Sequence, residues 1–189
     1  MKIRNLEPTP NPNAFKFNVD LTLSKKPKNF PDAASVNDDP LAGKLFEVEG
    51  VDSVFYLQDF ITVSKKEDAE WEHVMTEVGQ RILAFEAEEL PQADAEADGD
   101  AESTALETSS PEEKELLDKV NVIFDEMVRP ALADDGGGLD ILGIDGNNLY
   151  IRYQGACGTC PSAITGTLAA IQRLLHYHLE NEEINVVAA

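Results

Sequence analysis

The chain has 189 residues, 42% of them hydrophobic, and a formal charge of −21 from 15 Lys and Arg against 36 Asp and Glu. That length holds one medium domain or two small ones, and so acidic a surface repels nucleic acid and anionic lipid headgroups, which sets both aside as partners. No apolar run reaches the ~20 residues of a membrane span, and Met1 to Glu7 carry two bases with no apolar stretch behind them, so neither a secretory signal nor a transit peptide is expected and the cytosol is the expected address.

In chain order, Pro8, Pro10 and Pro12 fix an extended entry. Phe15-Lys16-Phe17-Asn18-Val19 alternates with period two, as a half-buried strand does. Asp39 is placed to cap a short helix with Pro40 in its first turn, and Gly50 closes it. Residues 51–57 and 61–64 read as two strands around a Gln58-Asp59 turn. A longer helix over about 71–87 carries Val74, Val78, Ile82 and Phe85 as its apolar stripe. Trp71 belongs with the core. These elements make a small α+β domain over residues 1–89.

From residue 82 to residue 113 there is no Lys or Arg but 11 carboxylates. Residues 91–100 hold no aromatic or β-branched side chain, so they bury too little apolar surface to offset their ordering entropy. Residues 90–109 are expected to be a flexible acidic linker, stretched by its own charge.

Residues 110–189 then form a second unit. Ser110-Pro111-Glu112-Glu113 is a capping box with Pro at the first helical position. Leu116, Val120, Ile123, Phe124 and Met127 come next at helical spacing, and Pro130 is expected to kink or end the helix. Asp134 and Asp135 read as a solvated helix end. Gly136-Gly137-Gly138 predicts a loop, and it lacks the Lys-Ser/Thr of a phosphate loop. Strands are predicted at 139–144 and 149–154, with Asp145-Gly146-Asn147-Asn148 as a hairpin turn. A helix over about 161–180 presents Ile164, Leu168, Ile171, Leu175 and Leu179 on one face, and 184–187 reads as an edge strand. The fold class is α+β: two small α+β domains joined by a flexible acidic linker.

The chemistry sits in Gly155-Ala156-Cys157-Gly158-Thr159-Cys160-Pro161. The chain has two cysteines, and Cys157 and Cys160 lie where a strand gives way to a helix. With Pro161 as the first helical residue, Cys160 is the expected cap, and the helix dipole favours its thiolate, the form that binds metal. Gly155 and Gly158 let backbone approach the sulfurs closely. A tetrahedral zinc site or a common iron–sulfur cluster takes four ligands. His176 and His178 lie about four turns along the same helix, too far to close the site, and His73 is in the other unit; a solvated role is expected for all three. The remaining ligands would come from a second chain, a small thiol or a client, and a two-fold dimer supplies four cysteines with no further residue. Dithiol redox chemistry and a structural zinc-linked dimer stay open. Against a thioredoxin site, the motif comes after a hairpin, no Trp stands directly before Cys157, and no proline lies beyond Pro161.

At these residues the chain resembles the NifU-like (Nfu) proteins. In the carboxy-terminal half the resemblance rests on Arg129-Pro130, Asp135-Gly136-Gly137, Gln154-Gly155-Ala156-Cys157 and Cys160-Pro161-Ser162. In the amino-terminal half it rests on Thr9-Pro10-Asn11-Pro12-Asn13, Phe15-Lys16-Phe17, Leu41-Ala42, Leu45-Phe46, Glu49-Gly50-Val51, Ser53-Val54-Phe55 and Asp59-Phe60-Ile61-Thr62-Val63. The resemblance implies a non-enzymatic scaffold or carrier that binds a 4Fe–4S cluster between two protomers, with Cys157 and Cys160 as ligands. The partners implied are apo iron–sulfur proteins and upstream assembly proteins, with the amino-terminal domain recognising one of them. Where the family often continues Asp-Gly-Gly with Asp, this chain has Gly138, and Ala163 stands in place of a second Ser after Cys160.

Overall fold

The computed structural model describes residues 1–86, 110–158 and 161–189, with the backbone alone at 161–163. The expected linker, 90–109, and Cys160 lie outside the described residues. Strands β1 (Ile3–Pro8), β2 (Ala14–Val19), β3 (Ser24–Phe30), β4 (Val51–Gln58) and β5 (Phe60–Lys65) form one antiparallel sheet in the order β1-β2-β5-β4-β3. Helices α1 (Pro40–Phe46) and α2 (Trp71–Ala84) contribute Leu41, Leu45, Val74, Val78 and Ile82 to one core with Phe17, Val54, Tyr56, Ile61 and Val63 of the sheet. Each such side chain stabilises the fold by ~1.5–3 kcal/mol when fully buried.

The Asp39 cap forms as expected. Its carboxylate accepts from Ala42 N at 2.9 Å, from the Tyr56 hydroxyl and from Lys28 Nζ at 3.0 Å, so one buried acid ties the helix start to the sheet. Helix α1 stops at Phe46, short of Gly50, whose φ of 94° serves the turn into β4. Trp71 packs at the margin of this core and donates its Nε1 to the Pro12 carbonyl at 3.0 Å. Strands β1 and β3 were not foreseen. Lys25, Lys26, Pro27 and Lys28 are poor strand formers, and β3 tolerates them because it is an edge strand, bonded only to β4, where a proline need not donate.

In the second unit, α3 (Pro111–Ile123) begins with the expected capping box: Ser110 Oγ accepts from Glu113 N at 3.1 Å and Glu113 Oε2 from Ser110 N at 3.0 Å. Pro130 does not end the helical path: helical residues lie on both sides of it, with a change of helix type just before it. A π-helical turn (Phe124–Val128) leads straight into α4 (Arg129–Asp134), with Pro130 in the first turn of α4. Arg129 N reaches back to Phe124 O; this wider turn delivers the proline to a position where its missing N–H matters least.

Strands β6 (Gly137–Asp145) and β7 (Asn148–Gly155) make the expected hairpin, with Asp145 opposite Asn148. The loop expected over Gly136-Gly137-Gly138 is corrected. Only Gly136, with φ 77°, is turn; Gly137 and Gly138 begin β6, paired with Gly155 and Gln154. Helix α5 (Pro161–Leu179) crosses over to β8 (Asn185–Ala188), which lies parallel to β7, as a crossover of that length permits. Val120, Phe124, Leu139, Leu149, Ile151, Ile171 and Leu175 share the second core. Among the described residues no helix is long and apolar enough to cross a membrane.

Candidate metal centre

Strand β7 ends at Gly155, whose φ of 61° lies in the left-handed region; a side chain there would be strained. The chain then turns tightly: Ala156 N donates to Gly136 O at 3.3 Å and Gly158 N to Gly155 O at 3.0 Å. That turn carries Cys157, 6% exposed. Its sulfur rests against the opposite strand of the hairpin. A Cβ built on Gly137 would stand 2.7 Å from Cys157 Sγ and 2.8 Å from Gln154 O, so the sulfur occupies space that only a glycine at 137 leaves. The cradle suits a soft thiolate donor with backbone on several sides.

Beneath the turn, Tyr153 packs in the second core with Cys157. Its hydroxyl is one of the buried polar atoms without a hydrogen-bond partner among the described residues. Burial, and next the charge of Cys157, push its pKa up to about 12. On the open side of Cys157 lies a cleft of about 200 Å³ lined by Pro10, Asn11, Asp135, Ala156, Cys157, Gly166 and Thr167. Burial, with Asp134 alongside, raises the carboxyl pKa of Asp135.

Of the two expected ligands, the structure therefore positions Cys157, while Cys160 and its expected capping of α5 lie outside the described residues. Among the described residues no three His, Cys, Asp or Glu side chains converge as a metal-binding group. His73 and His178 are exposed, as expected. His176 is not simply solvated: it is half-buried, and its Nε2 lies 2.7 Å from Ile184 O, tying α5 to the approach to β8. None of the three lines the cleft.

The neighbours that sequence reasoning missed come from the other unit. Asn11 Nδ2 donates to Ala156 O at 3.1 Å, and Gly155 N donates to Asn29 Oδ1 at 3.2 Å. Lys16 Nζ donates to Ala133 O at 3.0 Å and Asp134 O at 3.2 Å. The available signal was the mixed character of β2, a lysine set between phenylalanines; nothing in that pattern names the partner.

Two α+β domains, the second seating a buried thiol beside a glycine-lined hairpin, define a two-domain thiol-bearing protein. Residues 3–89 match the family described as scaffold protein Nfu/NifU N terminal, and residues 120–187 match the NifU-like domain. The chain belongs to the Nfu/NifU scaffold family. It is 34% identical over 177 residues to the protein named NFU1 iron-sulfur cluster scaffold homolog, mitochondrial, of Drosophila sechellia, covering 93% of this chain and 61% of that one. The Drosophila willistoni protein of the same name is 35% identical over 177 residues, covering 93% and 60%. The chain thus spans about three fifths of the length of the curated relatives it matches. The X-ray structure of protein SAV1430 from Staphylococcus aureus covers 43% of this chain and 99% of its own, at 31% identity and a TM-score of 0.40.

Proposed function

We propose that this protein is an iron–sulfur cluster scaffold and carrier, which holds a 4Fe–4S cluster as cargo between two copies of the chain and hands it to apo-proteins. Cys157 and Cys160 of each copy are the ligands. The supporting observation is the placing of Cys157: a thiol seated by Gly137 in a tight turn at the mouth of a cleft, in a chain with two cysteines. Two thiols fill half a tetrahedral set, so a two-fold pairing of chains completes it without another residue. A cluster held at such a seam has few bonds to each chain, which suits release to a client. The protein transfers cargo and turns over no substrate. Its partners are apo iron–sulfur proteins and the assembly proteins that load it, and its proposed compartment is the cytosol, where thiols stay reduced.

Anaerobic reconstitution with iron and sulfide tests this. The expected product is brown, dimeric, and holds about two irons per chain, one four-iron cluster per pair. Cys157→Ser and Cys160→Ser should each abolish retention while leaving the fold intact. A Cys160→Ser protein that keeps the same cluster overturns the ligand assignment, and a colourless, iron-free monomer overturns the carrier reading.

A further inference from the structure

The five-stranded sheet has two faces, and helices cover only one. Lys16, Phe55 and Thr62 alternate with the core residues Phe17, Val54, Tyr56, Ile61 and Val63, so they point to the other face. A free sheet would leave that face wet. Here Lys16 is 7% exposed, and Phe55 and Thr62 are each 1% exposed.

The cysteine hairpin of the second domain covers them. The Phe55 ring lies against two glycines: an added Cβ would come within 2.9 Å of it from Gly155 and 3.2 Å from Gly138. Gly136 sits over Thr62, where an added Cβ would stand 2.9 Å from Oγ1. The hairpin has no side chain at these three points, so backbone meets aromatic ring and hydroxyl directly. The Lys16 ammonium stands 4.7 Å over the Phe60 ring and caps two carbonyls at the end of α4, where the helix dipole is negative. Asn11 and Asn29 complete the contact through Ala156 and Gly155, the two residues before Cys157. A buried lysine, a buried amide at Asn11 and a half-buried one at Asn29, all bonded to the same neighbouring domain, mark a surface shaped for that partner.

The contact is also built to open. The Thr62 hydroxyl, under Gly136, is buried with no hydrogen-bond partner among the described residues, and water would satisfy it once the domains separate. Closure also puts Pro10 and Asn11 into the wall of the cleft beside Cys157. A cluster shared by two chains needs that side of the sulfur to face a second copy. The same motifs that carry the family resemblance in each half, around Asn11 and Lys16 and around Gly136 and Gly155, are the ones that meet.

We propose that the outer sheet face of the amino-terminal domain is a docking surface for the cysteine hairpin of its own chain, and that this docked form shields Cys157 until the two domains part. Its purpose rests on the carrier reading above; the docking itself does not. The closed chain would carry no cargo, and opening would free the hairpin for a second copy and the sheet face at the same moment.

The test uses the full-length apo protein under reducing conditions in a Cys160→Ser background, which leaves one thiol. The rate of Cys157 alkylation by iodoacetamide should rise about tenfold when Asn11→Ala and Asn29→Ala are combined, since two hydrogen bonds to the hairpin are lost. Lys16→Gln should raise it in the same direction, with the thermal transition of each variant recorded to establish folding. In the unaltered chain the Gly155 amide, bonded to Asn29, should be protected from hydrogen exchange. Unchanged alkylation in folded variants, or a Gly155 amide exchanging as freely as an unstructured one, overturns the docking. Both readouts precede cluster loading: a chain that shows the docking but never takes iron overturns the carrier reading alone, and a loaded chain with unchanged alkylation overturns the docking alone.

Discussion

Gly137 and Cys157 share one space: a Cβ on Gly137 would lie 2.7 Å from the Cys157 sulfur. The glycine is paired with Gly155 across the hairpin, so neither strand can withdraw without breaking the ladder. Gly137→Ala must therefore displace the thiol or the turn that carries it. The expected outcome is a second domain destabilised by about 1–3 kcal/mol through overpacking and a markedly weaker hold on iron after reconstitution. Thermal unfolding and iron per chain measure the two effects, and retention equal to that of the unaltered chain would show that the position of the sulfur is not set by this contact.

Glu113 links two distant turns. One carboxylate oxygen accepts from Ser110 N at 3.0 Å, and the other from Gly146 N, in the hairpin turn, at 3.2 Å. Ser110→Ala removes only the cap and should cost about 1 kcal/mol. Glu113→Ala releases the hairpin turn as well and should cost more than Ser110→Ala in urea unfolding of the second domain. Equal losses would mean that the Gly146 contact contributes nothing.

Tyr56 donates to the buried Asp39 carboxylate, which also holds Lys28 and the start of α1. Burial first, and then the Asp39 charge, raise the Tyr56 pKa well above the usual phenol range. Tyr56→Phe keeps the ring in the core but leaves a buried carboxylate one donor short, a loss of about 1.5–3 kcal/mol. It should appear as a lower urea midpoint for the first domain with an unchanged slope.

Alkaline pH should weaken the second domain through Tyr153. Its folded pKa is raised from 10 to about 12, by burial and then by the Cys157 charge. The fold favours the neutral phenol, so this contribution is intact below pH 10 and lost as the pH climbs through about 12. Tyr153→Phe should flatten the fall in stability over that interval. Because the hydroxyl has no partner among the described residues, the substitution should be close to neutral at pH 7. A steep alkaline fall that persists in Tyr153→Phe would assign it to another group.

The hairpin that leads to Cys157, the helix caps at Asp39 and Ser110 and the α+β class were legible because each rests on local chemistry: caps, turn residues and apolar period. Strand β3 was not, because Lys25, Lys26 and Pro27 speak against a strand and only its edge position permits one. Gly136-Gly137-Gly138 read as loop by composition; two of the three are strand residues, kept bare by the Cys157 sulfur and the Phe55 ring. Pro130 read as a kink or an end of the helix, because a π-helical turn has no simple sequence period. The closing of the second sheet face was out of reach for a different reason. Alternation says which residues share a face, as with Lys16 against Phe17, but not that another domain will seal it.

The placing of prolines in the outermost strands has a consequence for life in a crowded solution. Pro8 closes β1 and Pro27 interrupts β3, the two margins of the larger sheet. A proline has no N–H to offer an incoming strand, and the lysines flanking Pro27 resist desolvation. In a chain of charge −21, those lysines sit where strand-by-strand accretion would begin. A domain that lets go of its neighbour to expose a sheet face thus keeps the rims of that sheet closed to fibrillar growth, and association is steered to faces and turns instead of edges.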